Sequence, residues 1–152
     1  MTTDKRIANA IKWIDALDPK EGYKKSTSQL GIVVSEFCKV NDPKKDMKYC
    51  CLGVACRVMG YEDVDYAEYF RDSLVDDMGL FGVAGKFKND QRILDQLTLA
   101  DLNDLTFNSK NDFKEIRDII LDNFDLIFIP EVAEGLKRHY NVPLECVSVG
   151  DI

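Results

Sequence analysis

The residues best placed to do chemistry are the adjacent thiols of Tyr49-Cys50-Cys51-Leu52-Gly53. A thiol at a helix start can have a lowered pKa, and the thiolate it forms is a nucleophile. That chemistry needs a base, and the one histidine of the chain is His139. His139 follows Lys137 and Arg138 at the expected end of a helix, where cations favour the dipole, so this position accounts for it without catalysis. The second feature is Leu102-Asn103-Asp104. Asp104 is a candidate base, cation ligand or orienting group for a cysteine. The plainer expectation is that Asn103 and Asp104 bond to nearby backbone in a turn before Phe107. Cys50, Cys51, Asp104 and His139 are therefore the catalytic candidates, and Tyr23, Asn103 and Asp104 the binding candidates. Set against both is the simpler role of the cysteine pair as packed core, because reduced Cys behaves as a small hydrophobe.

Metal and cofactor chemistry finds little support in the spacing. Cys50, Cys51 and Cys56 do not make the paired C-x₂₋₄-C arrangement of structural zinc sites. Gly79, Gly82 and Gly85 lack the Lys-Ser/Thr ending of a phosphate loop. No metal and no cofactor are expected.

The elements that must position these residues are mainly helical. Ile7, Ala10, Ile11, Ile14 and Leu17 make one apolar face over about Asp4 to Leu17, with Trp13 just off the stripe as a core-edge anchor or, less simply, part of a partner surface. Pro19 and Gly22 end that helix. Leu30–Cys38 is read as an extended entry followed by helix, and Asn41-Asp42-Pro43 as a turn. A buried helix is expected from Tyr49 to Met59, ended by Gly60, with Gly53 allowing another backbone to approach closely. Leu74–Phe81 suits a short helix and Val83–Phe87 a small β-hairpin. Thr98 and Asp101 form a capping pair for a helix with Leu99, Leu102 and Leu105 inward. Ser109 or Asn111 caps the next, whose stripe is Phe113, Ile116, Ile120 and Phe124. Pro130 opens a last helix that carries Val132, Ala133, Leu136 and Tyr140 and stops at Asn141. The fold class is mainly α, with α+β as the alternative: one domain over 1–143 of five to seven helices with a small hairpin or short sheet, then a strand or tail over 144–152.

The chain of 152 residues can bury a substantial core. Twenty basic against 27 acidic residues give a net charge of −7, which opposes attraction to phosphate backbones and disfavours nucleic acid. The short basic clusters Lys24-Lys25 and Lys44-Lys45 read as solvated loops. No apolar run approaches the ~20 residues of a membrane span, so no membrane contact is expected. The start of the chain has no signal-peptide core, and five cysteines without a secreted framework are expected as reduced thiols in the cytoplasm.

The stretch Tyr49-Cys50-Cys51-Leu52-Gly53-Val54-Ala55-Cys56, with the later Leu102-Asn103-Asp104 and the amphipathic Phe113–Ile120, resembles a group of uncharacterised tailed-bacteriophage and bacterial proteins. Tyr23-Lys24-Lys25 to Leu30-Gly31 loosely matches the entry of that family, and the likeness spans roughly 5–121. The long Phe37–Lys48 stretch departs from it. The resemblance implies a phage accessory protein made in the infected host bacterial cytoplasm, with a host or phage protein as partner, and it carries no catalytic assignment. The alternative is a cysteine-dependent enzyme or small-molecule-binding protein using Cys50 or Cys51 near Asp104. A virion component is a third class.

Overall fold

Helix α1 (Thr3–Ala16) starts where Thr2, in extended backbone, accepts a hydrogen bond on its hydroxyl from the Lys5 N–H at 3.1 Å. This supplies one of the donors that a helix start leaves orphaned. Its buried face runs through Ala10, Trp13 and Ile14 to Leu17, with Ile7 and Ile11 packed at the margin. The computed structural model describes residues 1–25, 48–60, 71–105 and 112–142. The readings made above for Leu30–Cys38, Asn41–Pro43, Lys44-Lys45, Ser109, Asn111 and 144–152 lie outside these residues.

The architecture is mainly α. Strand β1 (Lys24–Lys25) pairs in parallel with β2 (Lys48–Tyr49), and β2 leads directly into α2 (Cys51–Val58). There follow α3 (Arg71–Met78), α4 (Leu99–Leu105), α5 (Lys114–Asp122), the single turn α6 (Phe124–Ile127) and α7 (Pro130–His139). Helix α1 packs against α2, α3 and α7, while α4 packs against α2 and α6 against α7. The buried side chains form one cluster to which every helix contributes. Among the described residues no helix is long and apolar enough to cross a membrane.

Polar side chains lock the helix ends in place. Arg6 bonds the Asp76 carbonyl from Nε at 2.7 Å and the Asp76 carboxylate from Nη2 at 2.8 Å, and Asn9 bonds the Asp77 carbonyl at 2.8 Å. These carbonyls belong to the last turn of α3, where intrahelical donors run out. Arg117 of α5 likewise bonds the Ile14 carbonyl near the end of α1 at 3.0 Å. Past α3, the Phe81 N–H donates to Ile127 at 2.7 Å and the Ile129 N–H to Gly79 at 2.8 Å. Gly79 makes that crossing possible: its φ is +70°, and an added Cβ would lie 2.5 Å from Cγ2 of Val132.

Several expectations hold. Gly60, at φ +79°, follows α2, and the Thr98 hydroxyl accepts from the Asp101 N–H at 3.1 Å. Pro130 opens α7, and Asn141, at φ +58°, closes it. There the Val142 N–H reaches the Lys137 carbonyl at 2.8 Å and the Asn141 N–H the Arg138 carbonyl at 3.3 Å, the paired bonds of a Schellman end. Phe113, Ile116, Ile120 and Phe124 are all buried, although Asn123 breaks the helix before Phe124.

Other expectations need correction. Tyr49 belongs to β2 and not to the helix, because Cys50 is extended and caps α2. Leu105 is 52% exposed, since it falls past the turn of α4 that Leu99 and Leu102 bury. The hairpin placed at Val83–Phe87 is instead a run of three tight left-handed turns. Ala84 and Gly85 (φ +61° and +72°), Asn89 and Asp90 (+58° and +54°), and Leu94 and Asp95 (+50° and +67°) are their central pairs. The bonds Lys86 N–H to Val83, Gln91 N–H to Lys88 and Gln96 N–H to Ile93, at 3.1, 3.1 and 2.9 Å, close them. Positive φ at both central residues is the type I′ signature, and only the first turn has a glycine to relieve the strain. One antiparallel bridge, Lys86 to Thr98, ties the run to the start of α4.

Asp95→Gly therefore raises unfolding free energy by about 0.5–1 kcal/mol, because glycine enters the left-handed region without the cost a Cβ imposes. Denaturant melts at constant m-value read the change, and a lower midpoint would show that the turn is not strained.

Candidate functional site

The cysteine pair sits at the junction of β2, α2 and α4. Cys50, with φ −81° and ψ 169°, turns its sulfur over the first turn of α2 and accepts the Gly53 N–H at 3.3 Å. A thiol thus does the capping usually done by Ser, Thr, Asp or Asn. Cys51 is held through its backbone: its N–H donates to Oδ1 of Asn103 at 3.0 Å, and its carbonyl accepts Nε1–H of Trp13 at 2.8 Å. Its own sulfur points toward the Leu99 carbonyl oxygen at 4.0 Å. Asn103 is fully buried, so it bonds to backbone as expected, but across the fold and not within its own turn.

The environment of the thiols opposes ionisation. Cys50, Cys51 and Cys56 are reduced and buried. Burial raises the Cys50 thiol, outweighing the nearby N–H groups of Gly53 and Leu52 that favour the thiolate. Burial raises Cys51 further, with the Cys50 charge adding to it and Lys25 opposing it. Cys56 is pushed up to about 12, again by burial. A nucleophilic cysteine requires the reverse shift together with access. His139 stands elsewhere: it is exposed on the last turn of α7, edge-on to the Tyr140 ring at 4.7 Å between centroids. Tyr140 in turn donates from its hydroxyl to Asp15 at 2.7 Å, fixing α7 to α1.

The residue that the sequence reading missed is Lys25. Read as part of a solvated loop, it is instead 2% exposed, and its Nζ has no hydrogen-bond partner. It lies in β1 with Tyr49 as its register partner, and Tyr23, two residues earlier, meets the Tyr49 ring edge-on at 5.7 Å. Burial lowers the Lys25 pKa, while the charges of Cys51, Asp104, Glu115 and Cys50 pull it upward. Burial also raises the Asp104 carboxyl, against a hydrogen bond from the Asn103 side chain; Asp101 raises it further and Lys25 lowers it. Lys25 thus joins the cysteine pair, Asn103 and Asp104 into one neighbourhood, and His139 is not part of it. The available signal was period-two alternation, which sets Lys25 on the same strand face as Tyr23. A strand of two residues is too short for that pattern to register.

Among the described residues no group of three His, Cys, Asp or Glu side chains is placed to hold a metal ion. The arrangement holds the thiols as packing and as a cap. Comparison with known proteins found no matching family model, no matching curated protein and no matching solved structure.

Asn103→Ala strands the buried Cys51 N–H and lowers stability by about 1–3 kcal/mol, measured by chemical denaturation. An unchanged midpoint would show that the bond from Cys51 is not needed. Lys25→Met acts in the opposite direction, replacing an unpartnered buried amine with an apolar chain of similar length, and raises stability by about 1–3 kcal/mol. The folded pKa of Lys25 lies below 10.5, so the unfolded chain binds more protons between the two values, and wild-type stability climbs with pH across that window. The Met variant loses this climb, and a set of melts from neutral to alkaline pH detects it.

Proposed function

We propose that this chain is a noncatalytic accessory protein of the tailed-phage kind, acting in the infected bacterial cytoplasm by binding a host or phage protein. The observation that carries the noncatalytic half is the burial of the cysteine pair, at 2% exposure for Cys50 and 0% for Cys51. Burial and a raised pKa withhold both the thiolate and its access to a substrate. The sulfur of Cys50 is already engaged as a helix cap.

The phage context is supported by the resemblance carried by Tyr49–Cys56 and Leu102–Asp104. A protein partner, and a basic one, is supported by the net charge of −7, which repels phosphate backbones. Phe81, just before the strained run of turns, and Val83 and Leu94 within it are between 41% and 65% exposed and give such a partner apolar side chains to cover.

Affinity capture from phage-infected bacteria tests the reading. One host or phage protein is expected to co-purify at a fixed ratio and to rebind when both are pure; finding none counts decisively against it. The thiols are tested separately. Alkylation of Cys50 and Cys51 in the native protein is expected to run at least ~100-fold slower than in the unfolded chain, as for inert buried cysteine. Rapid labelling of either one at neutral pH would restore the cysteine-enzyme alternative.

A further inference from the structure

Strand β1 is held in the core against an opposing cost. It consists of Lys24 and Lys25, paired in parallel with Lys48 and Tyr49, and among the described residues the sheet has these two strands. So short a parallel pair is marginal by itself, and side chains must hold the strand in place. The two on its inner face pull in opposite directions. Tyr23 meets the Tyr49 ring edge-on at 5.7 Å, which favours the closed strand. Lys25 is 2% exposed and its amine makes no hydrogen bond, which favours the open one, where water satisfies the amine. The cost of a buried unsatisfied amine is at least as large as the return on one ring contact.

The chain before β1 supplies a fixed point for such a movement. Leu17 is fully buried, and Asp18 caps the turn Pro19–Glu21 by accepting the Lys20 N–H at 3.0 Å. Gly22 ends that turn at φ +86°, so the anchored part stops one residue before Tyr23. On the other strand, the two cysteines after Tyr49 differ in what holds them. Cys51 is tied to α4 by Asn103 through its N–H and to α1 by Trp13 through its carbonyl. Cys50 adjoins Tyr49, the register partner of Lys25, and its sulfur caps its own helix.

We propose that β1 is a strap that opens locally about Gly22 while the helices stay folded, uncovering Tyr49 and the Cys50 thiol and leaving Cys51 sealed. Local openings of this kind draw on the least stable parts of a structure, and a buried amine without a partner makes β1 such a part. The strap gives Lys25 a role, because its burial cost sets how often the strand opens. It goes beyond the protein-binding reading above, and neither depends on the other.

Alkylation of the full chain with iodoacetamide, read thiol by thiol by mass spectrometry and scaled to the rates in the unfolded chain, tests the strap. Cys50 is expected to label at least about tenfold faster than Cys51, at a rate that low urea leaves unchanged. Both thiols still label far more slowly than in the unfolded chain, so the strap and the cysteine-enzyme alternative are told apart. Lys25→Met removes the opposing cost and slows Cys50 labelling about tenfold. Tyr23→Ala removes the ring contact and speeds it about tenfold, with the helical circular dichroism of the wild type kept. The proposal is overturned if both thiols label at one rate that climbs with urea, as global unfolding dictates. It is equally overturned if Cys50 labels no faster than Cys51, or if either variant leaves the Cys50 rate unchanged. None of these results bears on whether a protein partner is captured.

Discussion

The backbone of Cys51 is the point on which the rest of the molecule depends. Its N–H is bonded by Asn103 of α4 and its carbonyl by Trp13 of α1, and both side chains are fully buried. One residue at the start of α2 thus receives a polar bond from each of the two helices that enclose it. In a low-dielectric interior these bonds are strong, and a missing partner is expensive, so the three helices share a single relative placement. Trp13 adds a large apolar surface to the same joint, meeting Phe128 edge-on at 6.3 Å.

That joint explains why the cysteine pair reads as chemistry and behaves as structure. A helix start concentrates N–H donors, which is the feature that activates thiols in exposed sites. Here the donors are occupied by Cys50 and Asn103, and burial of both sulfurs disfavours a thiolate. A sulfur cap is weaker than a hydroxyl cap but costs less to bury, and at 2% exposure the second effect wins. The same logic makes Lys25 the exception in this region. Every other polar group described at the joint has a partner, and its amine alone carries a burial cost with nothing opposite it.

The helices were legible in the sequence because their signals are local and repeated. The stripe of α1, the Thr98–Asp101 pair, Pro130 and Asn141 each set a boundary through neighbours three or four residues away. What escaped depends on partners far along the chain. Lys25 looks like any surface lysine until β2, more than twenty residues later, pairs with its strand. Asn103 looks like a turn former, and its bond to Cys51 spans 52 positions. The run of turns between residues 83 and 96 was misread for a different reason: Ala84, Asn89, Asp90, Leu94 and Asp95 adopt left-handed backbone that their side chains do not announce. Of the candidate site, the cysteines, Asn103 and Asp104 were found by type, Tyr23 by the resemblance, and His139 proved to belong elsewhere.

The strained turns and the unpartnered lysine are related, because α4 joins them. The run of turns ends at the bridge from Lys86 to Thr98, and Thr98 caps the helix that delivers Asn103 to Cys51 and Asp104 to the neighbourhood of Lys25. Gly85 packs directly on this helix: a Cβ there would lie 2.6 Å from Cβ of Leu99. Left-handed residues persist only where the surrounding packing over-determines them, and strain held this way fixes the position of what it abuts. The start of α4 is accordingly pinned by backbone geometry on one side and by the Cys51 bond on the other.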